Sequence, residues 1–344
     1  MRPRLYIHVG MPKTGTTSLQ VYCTQQRDWL AQHGVYYPHT MRAPHPTASQ
    51  HRYLNTALRR ASVLSMAEPA QVLCDLAAEI AASGLPAALL SEEQFSYHPW
   101  QAAPWLAQLR RWFDVHIVCM VRRADRWVES MYAQAVRGGY RATFAQFLQA
   151  DATQERLFLR RFLEPWGRAF GASHVHLMAV TAGSCSAALI SCLLAIPMSP
   201  TAPPRANPSL PGEAIMFLRA MPPLSPAALR GFNQRGARAL AALCDPSPYV
   251  GLVQADRQAL LAAAAGDLDW ARGYFSQAPL PPPEPLDLRV TPALSPARRL
   301  HLIDALLAPH AVPRGSGTTL PQMEKRLMRL WADSAPPIAS GRAA

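Results

Sequence analysis

Short apolar runs alternate with amphipathic stretches along the first two thirds of the chain. The apolar runs predict buried strands at 4–9, 87–91, 115–121 and 174–180. Apolar residues at helical spacing predict helices at 16–32, 69–83, 101–112, 125–137, 143–149, 154–169 and 184–195. Strands that alternate with helices pair in parallel through right-handed crossovers. The pattern therefore predicts an α/β fold in three layers, with a central parallel sheet flanked by helices.

The pattern changes in the last third of the chain. Residues 212–276 are mainly helical by spacing, and we expect them to belong to an α/β domain over 1–276. Proline is concentrated in 277–292, which predicts a semi-rigid spacer. Two amphipathic segments, 293–310 and 320–333, follow it. Residues 293–344 therefore form a predicted helical C-terminal extension with a frayed tail.

Composition excludes several classes of protein. With 344 residues, 49% of them hydrophobic, the chain can bury a sizeable core and is neither disordered nor fibrous. The net charge of +12 is spread in short Arg pairs without interleaved aromatic residues, so no specific nucleic-acid partner is expected. No signal peptide or transmembrane segment is recognisable, and the six Cys are scattered. These features predict a cytoplasmic protein without disulfides.

The segment His8–Gln20 follows the first predicted strand and carries the strongest chemical signal. Small residues allow the backbone to curve around an anion, and the start of the following helix offers unpaired N–H groups. Lys13 adds a positive charge, although Lys is rare in this chain, where Lys325 is the other example. Lys13 precedes Gly15 by two residues, unlike the Gly-Lys-Ser/Thr order of nucleotide triphosphatases. An ordinary strand-to-helix turn is the alternative interpretation.

The stretch Pro12–Leu19 resembles the 5′-phosphosulfate loop of sulfotransferases that use 3′-phosphoadenosine 5′-phosphosulfate. The chain as a whole resembles the bacterial, carbohydrate-type members of that family. That family is built on a relative of the P-loop fold. The resemblance covers residues 4–276 and fades beyond them. It implies a P-loop-like fold and a cofactor-binding loop that consists of Lys13, Thr14, Gly15, Thr16, Thr17 and Ser18.

A second segment is independent of the first. The predicted strand 115–121 ends at Arg122, and a helix carrying Ser130 follows. In the sulfotransferases, an Arg at a strand end and a Ser eight positions later hold the 3′-phosphate of the cofactor, and Arg122 and Ser130 match that spacing. A planar guanidinium is suited to a terminal phosphate. The alternative is a solvated basic helix start, which the helix dipole would disfavour.

Three residues are candidates for the general base that sulfuryl transfer needs. Glu92 and Glu93 follow the predicted strand 87–91, whose carboxyl end lies at the same sheet edge as Lys13 and Arg122. The sequence there resembles the Ser-Glu-Glu-Phe of bacterial sulfotransferases. Both carboxylates are equally suited to capping a helix N-terminus. His51 has a suitable pKa, although a lone His beside Arg is more often a surface residue.

The resemblance implies transfer of a sulfuryl group to a hydroxyl or amine, with Lys13 stabilising charge on the leaving group and no metal involved. Among the 11 His and six Cys, no C-x-x-C or H-E-x-x-H spacing predicts a metal site. A carbohydrate or glycolipid acceptor is the first expectation, and the exposed or core placement of Trp100, Trp105, Trp112 and Tyr140 remains open. The oligomeric state is also open.

Two other functions remain open at the level of sequence. A P-loop kinase would transfer a phosphoryl group from ATP and would need a carboxylate such as Asp125 or Glu92 to hold magnesium. A non-catalytic nucleotide-binding protein would keep Lys13 and Arg122 without turning over an acceptor.

Overall fold

A computed structural model describes residues 2–40, 51–64, 68–151, 153, 157, 159–180, 186–200, 209–275, 290–310 and 318–335. The chain divides into two compact units. The first draws its described residues from Met1–Trp127, Asp151–Pro208 and Gln258–Pro285, and the second from Val128–Ala150, Ser209–Arg257 and Leu286–Ala344. The predicted spacer lies outside the described residues up to position 289, as does the tail from 336.

A parallel sheet forms the centre of the first unit. Its strands within the described residues are β1 (Arg4–His8), β2 (Val35–Tyr36), β3 (Ala87–Ser91), β4 (Asp114–Arg122) and β5 (Val175–Val180). Their order is β2-β3-β1-β4-β5, and every neighbouring pair is parallel. The prediction of an α/β fold with a central parallel sheet is confirmed. The two-residue strand β2 was not predicted, because its sequence is too short to show a pattern.

The helices that the structure describes up to residue 194 lie between and after these strands. They are α1 (Thr16–Gln25), α2 (Arg27–Gln32), α3 (Arg52–Leu64), α4 (Glu68–Ala82), α5 (Pro99–Ala107), α6 (Ala124–Arg137), α7 (Phe144–Gln149), α8 (Leu159–Phe170) and α9 (Ser186–Leu194). Short 3₁₀ segments occupy Glu93–Tyr97, Gln108–Arg111 and Ala172–His174.

Both faces of the sheet are covered, as buried parallel strands require. On one face, Tyr6, Val118 and Met120 pack against Leu19 of α1 and Ile190 of α9. On the other face, α8 packs against β4 and β5, and α5 packs against α8. These three layers explain why the strand sequences are almost continuously apolar. The amino end of β4 departs from this pattern, because polar residues alternate with apolar ones there.

Several element boundaries differ from the predicted ones. The predicted helix 16–32 is two helices, because the backbone at Gln26 leaves helical geometry with φ −108° and its N–H bonds to Tyr22 O. The predicted helix 101–112 begins earlier, at Pro99, where a proline fits the first turn, and ends in a 3₁₀ segment. Local hydrogen bonding decides where each helix begins and ends, and the spacing of apolar residues carries no information about those bonds.

The second unit is helical after residue 211. Its helices there are α10 (Gly212–Ala220), α11 (Pro226–Gly231), α12 (Ala237–Ala242), the first turn of α13 (Gln254–Tyr274), α14 (Pro296–Leu307) and α15 (Leu320–Asp333). A π-helical segment, Phe232–Gly236, joins α11 to α12. The two predicted C-terminal helices are therefore present.

The C-terminal helices pack within this unit. α15 packs against α11, and the buried Trp331 ring lies 4.9 Å from the ring of Phe232. Arg298 of α14 donates to both carboxylate oxygens of Glu213, at 2.6 and 3.0 Å. Within the ranges that the structure describes, no helix has the length and apolar character needed to cross a membrane.

Candidate functional site

The loop between β1 and α1 runs along the carboxyl end of β4. The Val9 N–H donates to Val118 O at 3.0 Å, and the Met11 N–H donates to Met120 O at 3.3 Å. These bonds continue the β1–β4 pairing past the end of β1, although Val9 and Met11 are outside the strand. The loop therefore lies at the carboxyl ends of the strands, where parallel α/β proteins bind their ligands.

The turn itself has two residues in the left-handed region. Lys13 has φ 67° and Gly15 has φ 86°, and the Thr14 hydroxyl donates to Met11 O at 2.6 Å. Left-handed geometry is unusual for Lys and is found where the surrounding structure imposes it, often at ligand-binding turns. Gly15 is the N-cap of α1 and has no side chain with which to cap the helix. The first turn of α1 therefore has the character of an anion-binding helix start.

Arg122 connects the second sequence motif to this loop. It is the last residue of β4, it is half-buried, and its Nη1 donates to the backbone carbonyl of Lys13 at 3.1 Å. The guanidinium thus lies beside the turn, as expected from the ends of adjacent parallel strands. Ser130 lies on α6 and is half-buried, as are Thr17 and Ser18 on the first turn of α1.

Glu93 contacts the loop through its side chain. The Thr16 hydroxyl donates a short hydrogen bond to Glu93 Oε2. Glu93 begins the 3₁₀ segment after β3, and this segment brings the carboxylate to the first residue of α1. The hydroxyl of Thr16 and the carboxylate of Glu93 are therefore neighbours, although 77 positions separate them in the sequence.

Glu92 has a different environment from Glu93. Its side chain is fully buried, its N–H donates to His8 O at 3.0 Å, and its Oε1 accepts from the Gln94 N–H at 2.9 Å. Burial raises the pKa of Glu92 to about 7, although the hydrogen bond from Gln94 opposes the shift. The carboxyl group therefore titrates near neutral pH and also caps the 3₁₀ segment.

His51 is fully buried, so the expectation that it lies on the surface is wrong. Its Nδ1 accepts from the Ser91 N–H at 3.1 Å, and its ring packs edge-on against Tyr37 at 4.9 Å. His8 is also buried, as expected for a sheet residue, and bonds to the Ser91 hydroxyl at 2.9 Å. Burial lowers the pKa of His8 to about 3, which makes it a neutral structural residue. The tertiary packing of Tyr37 and β3 around residue 51 is not visible in the sequence.

A cleft of about 360 Å³ opens next to the loop. Its lining comes from the loop, the 3₁₀ segment after β3 and the helices α5, α6 and α8, and comprises Met11, Pro12, Ser96, Tyr97, His98, Pro99, Trp100, Gln101, Trp127, Arg161 and Phe162. The Trp100 side chain is 49% exposed, with the Arg168 guanidinium 5.5 Å from its ring centre. Tyr140, another aromatic candidate, packs against Tyr132 and Phe147. Trp100 was a sequence candidate, whereas the contribution of α8 could not be predicted without the fold.

Asp125 is buried and paired with its neighbour on the chain. Arg123 donates from Nε to Oδ1 at 2.6 Å and from Nη2 to Oδ2 at 2.9 Å. Both oxygens of the carboxylate therefore accept from one guanidinium, and the Asp125 side chain has no exposed surface. This bidentate pair holds the start of α6 next to the end of β4.

Comparison with known proteins gives a similarity to a solved structure. No family model and no curated protein matches the chain. Among solved structures, the chain is similar to a sulfotransferase from Alicyclobacillus acidocaldarius, with a TM-score of 0.39 and 16% sequence identity. The match covers 64% of this chain and 92% of that chain.

Proposed function

We propose that this protein is a sulfotransferase that moves a sulfuryl group from 3′-phosphoadenosine 5′-phosphosulfate to an acceptor hydroxyl or amine. The observation that carries the proposal is the loop at Lys13, which lies at the carboxyl edge of a parallel sheet with Arg122 hydrogen-bonded to it. A left-handed turn, a helix start capped by Gly15 and two cationic side chains fit a nucleotide with several phosphate groups.

Each part of the loop has a role in this proposal. Lys13 and the amides of the turn stabilise the negative charge that develops on the 5′-phosphate as the sulfur–oxygen bond breaks. Thr14, Gly15, Thr16, Thr17 and Ser18 hold the 5′-phosphate. Arg122, with Ser130 by resemblance, holds the 3′-phosphate and distinguishes the donor from ordinary adenine nucleotides.

The acceptor would enter the cleft beside Met11 and Pro12. Its oxygen attacks the sulfur atom, loses its proton to a base, and adenosine 3′,5′-bisphosphate leaves. Glu93, Glu92 and His51 are the candidate bases. Glu93 contacts the loop through Thr16, whereas Glu92 and His51 are fully buried. An exposed Trp100 ring beside polar Ser96 and Gln101 is suited to a carbohydrate or glycolipid acceptor.

The kinase alternative receives less support from the same residues. Magnesium would need a carboxylate near the phosphates, but both oxygens of Asp125 accept from Arg123. Glu92 bonds to the Gln94 amide inside the core and carries a raised pKa. A catalytically silent nucleotide binder remains the second candidate, because Lys13 and Arg122 alone would give binding.

Calorimetry without added metal tests the proposal. We expect the protein to bind adenosine 3′,5′-bisphosphate more tightly than ADP, and Arg122→Ala to abolish that preference. Arg111→Ala is the matched control, because it removes the same charge from an exposed position at the other end of the sheet. Equal binding of the two nucleotides, or no binding, would overturn the sulfotransferase proposal. Release of the bisphosphate from the sulfuryl donor with a panel of acceptors then separates an enzyme from a silent binder.

A further inference from the structure

Three histidines and an aspartate form a cluster at the amino end of β4 and β5. Asp114 and His116 lie on β4, His174 ends the 3₁₀ segment before β5, and His176 lies on β5. Val118 pairs with His176 and Ile117 pairs with Val175, so the register continues to place His116 beside His174. This cluster lies far from the proposed sulfuryl-transfer site. Asp114 and Arg122 are at opposite ends of β4, and the eight residue steps between them span about 26 Å.

The His116 and His174 side chains converge on the Asp114 carboxylate. His116 Nε2 lies 3.0 Å from Asp114 Oδ2, and His174 Nε2 lies 3.3 Å from Asp114 Oδ1. One ligand atom from each of the three residues lies within 4.8 Å of the others. Two ligand atoms bound to a tetrahedral zinc ion are about 3.3 Å apart. Each histidine nitrogen therefore lies at about that distance from an Asp114 oxygen, and the three donors are close enough together to share one ion.

The second nitrogen of each ring has its own partner. His116 Nδ1 lies 2.9 Å from His176 Nε2, and His174 Nδ1 lies 3.1 Å from the Ser173 hydroxyl. Histidines that bind metals characteristically engage their second nitrogen in this way, which fixes the ring and directs the first nitrogen to the ion. Tyr6 stacks on the His116 ring at 5.2 Å and restricts it further.

We propose that Asp114, His116 and His174 bind a divalent transition-metal ion of the zinc class. Two imidazoles and one carboxylate are a donor set suited to zinc and to cobalt as its substitute. All three residues are partly exposed, so water can complete the coordination. His176 and Ser173 orient the ligands without binding the ion. No metal site was predicted from the sequence, because the ligands come from β4 and from the segment before β5, 60 positions apart.

The ion would join β4 to the segment that precedes β5. Its consequence is a more stable amino end of the sheet, since a ligand that binds only the folded chain raises the midpoint of thermal unfolding. The proposal does not depend on the sulfotransferase function, because metal binding is measured without nucleotide or acceptor.

Titration of the full, tag-free chain with Co²⁺ and Zn²⁺ tests the site. After treatment with a chelator and desalting, we expect one equivalent of Co²⁺ to give saturable visible absorption that Zn²⁺ displaces, and Zn²⁺ to raise the thermal midpoint. Asp114→Asn and His174→Ala should each remove both effects. His176→Gln should weaken Zn²⁺ binding by about 10- to 100-fold, because it disturbs only the orientation of His116.

His301→Ala is the control, because His301 is exposed on α14 and belongs to the other unit. It should leave the Co²⁺ absorption and the Zn²⁺ affinity unchanged. His174 lies outside β5 and is partly exposed, so its replacement should leave the circular dichroism spectrum of the chain intact. The absence of saturable binding by the wild type, or binding that survives both ligand variants, would overturn the proposal and leave a network of hydrogen bonds and ion pairs.

Discussion

The guanidinium of Arg122 donates a hydrogen bond to the backbone carbonyl of Lys13, 3.1 Å away, across 109 positions of sequence. This bond joins the end of β4 to the turn that follows β1. Both residues resemble phosphate-binding positions of sulfotransferases, and the bond makes them parts of one local structure. Substitutions around this contact give direct tests of the proposed function.

Replacement of Lys13 by Ala should lower turnover of the sulfuryl donor by about a hundredfold or more, the loss associated with removing one preorganised charge-stabilising donor. Release of adenosine 3′,5′-bisphosphate measures it, once an acceptor has been found. Lys325→Ala is the matched control, because Lys325 is the other Lys of the chain and is exposed on α15. Turnover within a few-fold of wild type would remove Lys13 from the mechanism.

Gly10 should tolerate no side chain, because the buried ring of His8 lies against it. An added Cβ would be 2.5 Å from His8 Nε2 and 3.0 Å from Thr16 Cγ2. We expect Gly10→Ala to lower the free energy of unfolding by about 1–3 kcal/mol, as overpacking does in a core. Urea denaturation measures the change. Gly266→Ala on α13, where no atom lies within 4 Å of the added Cβ, should be neutral or stabilising.

Glu92 should make the stability of the protein depend on pH. Burial raises its pKa from 4.5 in the unfolded chain to about 7, so the folded chain binds the proton more tightly. The resulting stabilisation is complete below about pH 4.5 and is lost as the pH rises to about 7. Relative to Glu92→Gln, wild type should therefore lose about 3 kcal/mol of unfolding free energy across this interval. Denaturant titrations of both proteins between pH 4 and 8 measure it, and parallel curves would contradict the raised pKa.

The pair Glu129–Arg257 should stabilise the second unit strongly. Glu129 Oε1 accepts from Arg257 Nη2 at 2.7 Å and from the N–H groups of Gly251 and Leu252, and both charged side chains are at most 3% exposed. Glu129→Gln removes the buried negative charge that Arg257 Nη2 contacts and should lower the free energy of unfolding by about 3–5 kcal/mol, the cost of breaking a buried ion pair. Urea denaturation measures this loss.

The double variant Glu129→Gln with Arg257→Met is the companion experiment. It replaces the buried cation as well and should recover part of the loss, because much of the penalty of breaking a buried ion pair comes from the charge that stays behind. A loss below about 1 kcal/mol in Glu129→Gln, the size typical of an exposed pair, would show that the ions are not buried in solution.

The strands were predictable from the sequence, whereas some helix ends and the burial of His51 were not. Apolar periodicity located β1, β3, β4 and β5, because parallel strands covered on both faces need apolar side chains at nearly every position. It did not reveal the break at Gln26, which local backbone geometry decides, or the two-residue strand β2, which exists through its pairing with the distant strand β3. It also gave the wrong burial for His51, whose surroundings come from β3 and Tyr37.

The sequence by itself determined the α/β class and the strand–turn–helix around Lys13, because these depend on residues that are close along the chain. The tertiary structure alone decided that Arg122 bonds to the Lys13 carbonyl, that Glu93 contacts Thr16, and that His116 and His174 converge on Asp114. Each of these contacts depends on strand order and register. Strand order and register are fixed by packing between segments far apart in sequence, so no local pattern of residues specifies them.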